Sequence, residues 1–436
     1  MTESFLPPLL IVADAPEALT NLGGISLLER LRRIARQTGY KEAMILSRSV
    51  ESIAAHVGQS SWKSEDVALK FRERGGIEVT IGDLMGGVAV MGVPSTDSVL
   101  VVFANFYCDP RLLRALTETR ATAVLIDSNP PSNIAPLLEN SELTCAALVT
   151  KEWMSGKDRA VVLKKELTSD AKIGRIATVD AAQLSPYIPS MRANSRPIFF
   201  PAPSPEQRPL AEKLLRDATQ KGVLDFPAQV HAPIEKWLVS HLCRTSLTPN
   251  QITLGTAFVG LSVTLLYATG YLWIGALLAL VVGVLDGVDG KLARLKVQTT
   301  KVGKGEHVLD YFLEMSWWTA LAYHFQVTGQ VGYAYLLLLF LFVSDVLDRL
   351  GRWSVESRLG RSLDDASRFD RWVRYVAGRR NVYTWMFVFC LLIGTPAKGF
   401  VWLCFWGIVS AAIHIFRAVQ IQFTAPRRAG PTKGVP

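Results

Sequence analysis

Six stretches in the second half of this chain are too long and too apolar to be the core helices of an ordinary water-soluble enzyme. They are 250–269, 271–290, 307–328, 331–350, 382–396 and 399–422. A helix that crosses a bilayer needs ~20 mostly apolar residues. The fifth stretch is short at its apolar core, and the third is interrupted by acids. The charges between the stretches fall on one side. The turns at 269–272 and 326–332 have none, and that at 394–400 has only Lys398. On the other side lie Lys291, Arg294, Lys296, Lys301 and Lys304, then Arg349, Arg352, Arg358, Arg361, Arg368, Arg371, Arg374, Arg379 and Arg380, and finally Arg427, Arg428 and Lys433. Because basic loops stay on the cytoplasmic side, six spans are expected, with both termini in the cytoplasm.

The 436 residues carry 47 Lys and Arg against 38 Asp and Glu, a formal net charge of +9. This excess does not point to nucleic acid, because the basic residues cluster beside apolar runs and no nucleic-acid motif accompanies them. Cys108, Cys145, Cys243, Cys390 and Cys404 are scattered, without metal or disulfide spacing. The opening MTESFLPPLLIVADAPEAL lacks a basic n-region, and Asp14 and Glu17 interrupt it, so no signal peptide is expected. The expected division is a cytosolic part at 1–230, a membrane part at 231–426 and a tail at 427–436. Within 233–246, Ile234, Trp237, Leu238, His241 and Leu242 share one helical face, which suits a helix lying in the membrane interface; a buried core helix of the cytosolic part is the alternative. Thr248 before Pro249 is an N-cap with Pro at N1.

The second and third apolar stretches meet at an acidic constellation. Asp286 and Asp289 are spaced i,i+3, and Asp310 and Glu314 i,i+4, so each pair shares a helical face. The short connection makes the two helices antiparallel neighbours. Four carboxylates at one depth cannot all stay ionised without cations. All-oxygen ligands favour Mg²⁺ or Mn²⁺, or Ca²⁺, over zinc. Acids near hydrocarbon are expensive, which marks them as functional. Gly290 permits close backbone approach, and Arg294 one turn later can neutralise phosphate.

These residues resemble the CDP-alcohol phosphotransferase family, whose signature is D-x2-D-G-x2-A-R, a spacer, then G-x3-D-x3-D. Asp286, Asp289, Gly290, Ala293 and Arg294 match the first half without a gap. In the second half Gly303 and Gly305 compete for the glycine slot, Asp310 follows Gly305 with one residue too many, and Glu314 stands for the last Asp. The resemblance implies that Asp286, Asp289 and Asp310, with Glu314, form the metal set for Mg²⁺ or Mn²⁺. It implies that Asp286, Asp289, Gly290, Ala293 and Arg294 hold the CDP, and that Glu314 is the general base. It also implies a CDP-activated lipid or alcohol donor, a small alcohol or alcohol-phosphate acceptor, CMP as leaving group and a homodimer in lipid. Gly378-Arg379-Arg380-Asn381-Val382-Tyr383 resembles a stretch in members that make inositol-phosphate-type products, which makes Arg379 and Arg380 candidates for an acceptor phosphate; contact with anionic lipid is the alternative. Asp345 and Asp348 are expected to pair with Arg349 or Arg352, and His324 to sit at the outer end of its helix.

The first half alternates strand-like runs at 9–13, 43–47, 98–104 and 121–126 with helical stretches at 26–38 and 110–118, followed by a polar helix near 205–221. That order reads as an α/β domain with a largely parallel sheet. Leu22-Gly23-Gly24-Ile25-Ser26-Leu27-Leu28-Glu29-Arg30 and Val101 to Pro110 resemble the sugar- and inositol-phosphate nucleotidyltransferase fold. The loop after the first strand reads Ala13-Asp14-Ala15-Pro16-Glu17 instead of a Gly-rich phosphate cradle, no lysine precedes Gly23, and Asn105 stands where the family carries an Asp. The resemblance therefore implies a nucleotidyltransferase-like domain without its activity. The expected whole is a six-span CDP-alcohol phosphotransferase; the rival reading is an inactive membrane scaffold or lipid-binding homologue.

Overall fold

The computed structural model describes residues 6–59, 67–91, 97–138, 144–298 and 302–424, with backbone alone at 302–307. Lys301 and the tail residues Arg427, Arg428 and Lys433 lie outside the described residues. The chain forms two compact units. One comprises Met1–Pro186, Ser195–Ala218 and Leu295–Val297; the other comprises Tyr187–Asn194, Thr219–Arg294 and Gln298–Pro436.

The first unit is built on a seven-stranded sheet. Its strands are β1 (Leu9–Val12), β2 (Glu42–Ser47), β3 (Ala68–Glu73), β4 (Ser98–Phe103), β5 (Ala123–Ile126), β6 (Ala146–Thr150) and β7 (Ala177–Asp180). They run in the order β7-β5-β6-β4-β1-β2-β3. All neighbours are parallel except β6, which is antiparallel to both β4 and β5. The LLIV of β1 is buried throughout, as a central strand covered on both faces must be. β3 reads ALKFRE and is only partly buried, which is why its apolar pattern is weak in the sequence. The helices α1 (Leu27–Thr38), α2 (Val50–Gly58), α3 (Ile81–Met91), α4 (Pro110–Glu118), α5 (Leu163–Lys172) and α6 (Arg208–Asp217) accompany the strands.

Local chemistry accounts for α1. Ser26 caps it by accepting from the Glu29 amide at 3.1 Å, and Gly39 ends it at φ +104°, a left-handed conformation that glycine adopts without steric cost. Leu27, Leu28, Leu31 and Ile34 are buried as the helical spacing predicts. Each such side chain contributes about 1.5–3 kcal/mol on burial.

The second unit is helical: α7 (Phe226–Leu242), α8 (Pro249–Ala268), α9 (Leu272–Leu295), α10 (Val302–Val327), α11 (Ala334–Leu359), α12 (Arg368–Val376), α13 (Arg380–Leu392) and α14 (Pro396–Thr424). Among the described residues, α8, α9 and α14 are long and apolar enough to cross a membrane. α10 and α11 have 26 residues each, but α10 carries acids and α11 both acids and arginines, and α13 has 13 residues, ~20 Å at 1.5 Å per residue. The expected Thr248 cap is a full capping box, in which Thr248 accepts from the Gln251 amide while Gln251 accepts from the Thr248 amide. α7 starts seven residues before the expected 233, because Asp225 accepts from the Ala228 amide at 2.9 Å and Pro227 sits in the first turn. The core of this unit centres on Trp317, Trp318, Phe325, Phe387 and Phe400. Trp317 Nε1 donates to the Gly260 carbonyl at 2.8 Å, so the indole is satisfied where water is excluded.

Candidate functional site

α9 and α10 carry the four acids. Asp286 opens into a cavity of about 330 Å³ in the second unit. Asp310, Tyr311 and Glu314 from α10 line the same cavity, with Asp345, Arg349 and Arg352 from α11. Asp225 at the cap of α7, and Gly378 to Asn381 with Tyr383 at the entry to α13, complete it. Three of the four expected carboxylates thus share one space. Asp289 does not join them: it is buried, accepts from the Thr253 hydroxyl at 3.0 Å, and is absent from the lining.

Among the described residues, no three His, Cys, Asp or Glu side chains approach closely enough to hold one ion. Asp286, Asp310 and Glu314 face one cavity while Asp289 faces Thr253. Like charges repel at short range, and each α9 acid finds another partner instead. Asp289 takes the Thr253 hydroxyl, and Asp286 takes the Arg380 guanidinium at 2.6 Å. The donor chemistry, carboxylate oxygen throughout, still fits a hard divalent cation.

Opposite charges balance the acids. Arg349 pairs with Asp345 at 2.8 Å and lies 4.3 Å over the Tyr311 ring. Asp348 accepts from Arg352 and lies 2.7 Å from His414 Nδ1. These are the ion pairs that the spacing on α11 predicts. The neighbours Arg379 and Arg380 diverge: Arg380 reaches Asp286, whereas Arg379 donates to Asp364 at 2.8 Å. Asp364 also accepts from Arg192 at 2.8 Å and has Arg374 Nε at 3.3 Å. Burial alone would push the Asp364 carboxyl up, but the guanidiniums of Arg379, Arg374, Arg352 and Arg192 override it and hold it down to about 2. Asp364 and Arg192 were not legible as site residues, because they are distant in sequence and no motif links them.

The glycines of α9 seat a neighbouring helix. A Cβ on Gly287 would lie 2.2 Å from the Glu235 carboxyl carbon, and one on Gly283 would lie 3.1 Å from His231. Glu235 in turn accepts from Lys291 at 2.5 Å in a buried pair. Gly290 leaves room for Arg294, whose Nη1 would stand 3.3 Å from a Cβ there. Arg294 Nε donates to the Thr219 carbonyl at 2.9 Å. Ala293, partly buried, lies beside it on α9. His324, expected at the outer end of α10, packs against Gly270.

The first unit has its own cavity, about 270 Å³, at the C-terminal ends of β1, β2 and β4. Asp14, Glu17, Arg48, Arg74, Asn105 and Lys164 are among its lining residues. In the loop after β1, Asp14 is compensated. It accepts from the Arg48 amide at 2.9 Å and forms an ion pair with the buried Arg74.

With this geometry in hand, comparison with known proteins is informative. Residues 246–313 match the family model of the CDP-alcohol phosphatidyltransferases. A protein of Aquifex aeolicus described as "Bifunctional IPC transferase and DIPP synthase" is 22% identical over 96% of this chain and 95% of its own length. Among solved structures, the phosphatidylinositol phosphate synthase of Mycobacterium tuberculosis with CDP-DAG bound covers 44% of this chain and 94% of its own, at 15% identity and a TM-score of 0.34. The inositol-1-phosphate CTP transferase of T. maritima covers 48% of this chain and 96% of its own, at 11% identity and a TM-score of 0.31. The matched segment takes in α8, α9 and α10 up to Leu313, with Asp286, Asp289 and Asp310 inside it. Residues 246–313 carry the match to the CDP-alcohol phosphatidyltransferase family, and the protein is a transferase of the CDP-alcohol phosphotransferase type.

Proposed function

We propose that the second unit moves a phospho-alcohol group from a CDP-linked lipid to a phosphorylated polyol, with CMP as the leaving group. The observation that carries this reading is the single cavity in which Asp286, Asp310 and Glu314 meet Arg349, Arg352, Arg379 and Arg380. An acidic wall beside an arginine wall suits two substrates of different demand. The acids would hold a cation for the donor's pyrophosphate, and the guanidiniums donate directly to the acceptor's phosphate.

Asp286 and Asp310 would hold Mg²⁺ or Mn²⁺, with Glu314 within the same set, and Asp289 would join them by exchanging the Thr253 hydroxyl for the ion. When bound, the ion supplies positive charge to the pyrophosphate oxygens. Glu314 takes the proton from the acceptor hydroxyl as its oxygen bonds to the donor's alcohol-side phosphorus. The bond from that phosphorus to the CMP phosphate oxygen breaks, and CMP leaves. Gly290, Ala293 and Arg294 bound the CDP end, and Arg379 and Arg380 bind the acceptor phosphate.

The helices α8, α9, α10, α11, α13 and α14 are read as six spans, with the cavity and the basic loops on the cytoplasmic side. The first unit is read as nucleotidyltransferase-like and inactive. In support, the Asp14 carboxylate and its arginine partners stand after β1, where a nucleotide's phosphates need a glycine-rich cradle.

The test is Mg²⁺-dependent CMP release by the purified full chain in lipid. CDP-diacylglycerol is supplied with inositol phosphate, glycerol phosphate, inositol, serine or simple polyols. Release with a phosphorylated acceptor is expected. Release only with neutral acceptors removes the arginine assignment. CDP binding without release from any pair favours an inactive scaffold, a reading to which Glu314 in place of Asp lends support.

A further inference from the structure

The helix α12 is built inside out for a water-exposed segment. Its nine residues put Phe369, Trp372 and Val376 on the outside at 54%, 72% and 47% exposure, while Asp370 and Arg374 are buried. The polar face is bolted down. Asp370 pairs with Arg417 of α14 at 2.7 Å, and Arg374 with Asp225 at 3.0 Å. A helix of this length, ~14 Å at 1.5 Å per residue, cannot cross a bilayer, so the apolar face needs another partner.

Two observations say what that partner is. The first is depth. α14 has 29 residues, ~43 Å against a hydrocarbon core of ~30 Å, so its ends protrude into the interface. α12 lies along the second half of α14, with its start held toward the C-terminal end at Arg417 and its exit nearer the middle. Trp406 Nε1 donates to the Val376 carbonyl at 2.8 Å, the Ser410 hydroxyl accepts from the Gly378 amide at 2.8 Å, and Arg417 holds Asp370. The second is continuity. Phe226 of α7 meets Tyr375 of α12 with ring centroids 5.8 Å apart, and α7 also turns Ile234 and Trp237 outward. The aromatic faces of the two short helices thus adjoin, and Arg361, Arg368 and Arg371 lie exposed around α12. Trp, Tyr and Phe with flanking arginine is the composition that settles at the headgroup–acyl boundary.

We propose that α12, between the fourth and fifth expected spans, is a second interfacial anchor that embeds Phe369, Trp372 and Val376 in the bilayer interface beside α7. Its last residue lies four positions before Arg380. Lipid contact at α12 therefore steadies the segment that brings Arg379 and Arg380 to the cavity. The inference rests on the membrane reading of α8 and α14 but not on the reaction proposed above.

The test uses the full chain in nanodiscs of phosphatidylcholine and phosphatidylglycerol, with nitroxide labels at Phe369→Cys and, separately, Trp372→Cys. The five native cysteines are buried; the unlabelled-site parent corrects for any reaction there. Leu254→Cys, exposed on α8, and Glu118→Cys, exposed on the first unit, are the lipid and water references. Collisions with oxygen should exceed those with a water-soluble nickel chelate at 369 and 372, shifting both toward the Leu254 reference. Nickel-dominated collisions at both sites, with Leu254 still lipid-facing, overturn the anchor while leaving the membrane reading intact. A water-exposed Leu254 overturns the membrane reading and the anchor together. Dipolar coupling between labels on two chains at 372 overturns it in favour of a second copy covering this face. Phe369→Cys keeps the test decisive if Trp372→Cys fails to fold.

Discussion

Arg380, in the first turn of α13, donates to the Asp286 carboxylate of α9 at 2.6 Å, across 94 residues of sequence. This contact joins the family signature to a basic cluster that the signature does not include. It places a guanidinium where the donor and acceptor phosphates are proposed to meet.

Replacing Asp289 by Asn keeps a hydrogen-bond acceptor for the Thr253 hydroxyl and removes a negative charge from α9. Metal-dependent CMP release should fall by about 10²–10³-fold, the size of losing one electrostatic element of a transition-state site. A variant that releases CMP at the parent rate removes Asp289 from the ligand set.

Glu314→Gln retains shape and loses the base. CDP affinity, measured by calorimetry, should stay near the parent value while turnover drops by roughly 10²–10⁴-fold. Glu314→Asp should restore part of the rate. Turnover that survives in the Gln variant assigns the proton to another group.

Asp364 lies outside the spans and is held below the ordinary carboxylate range by its arginines, to about 2. A carboxyl with a depressed folded pKa contributes stability that is fully present above its unfolded value, ~3.9, and is lost as pH falls toward the folded value. Thermal unfolding in detergent should therefore show a parent-specific loss between about pH 4 and 2. Asp364→Asn should be less stable at neutral pH and lack that step. The same variant releases Arg379, so its KM for a phosphorylated acceptor should rise more than its kcat falls.

Gly287→Ala would bring a Cβ to 2.2 Å from the Glu235 carboxyl carbon and disturb the buried Glu235–Lys291 pair. Breaking a buried pair costs about 3–5 kcal/mol. The Ala variant should unfold at a clearly lower temperature in detergent. An unchanged Tm shows that Glu235 can move aside freely.

Asn105→Ala alters the lining of the cavity in the first unit only. CMP release should be unchanged. A large loss there would show that the first unit takes part in the transfer.

Local rules carried much of this molecule. The i,i+4 acids Asp310 and Glu314, the Thr248 cap, the buried face of α1 and the Asp345–Arg349 pair all lie within one to three helical turns. Sequence spacing determines such neighbours once the helix forms. Strand β1 was legible because burial on both faces leaves an unbroken apolar run, whereas β3 and the antiparallel β6 were not. Edge exposure dilutes the pattern of β3, and strand direction has no local signature. Tertiary structure alone decided that Asp289 turns to Thr253 while Asp286 meets Arg380, and that Arg379 is drawn away to Asp364. It also decided that the apolar side of α12 faces outward. Each of these depends on which distant partner can satisfy a buried charge at least cost. That comparison exists only after the helices have packed and water has been excluded.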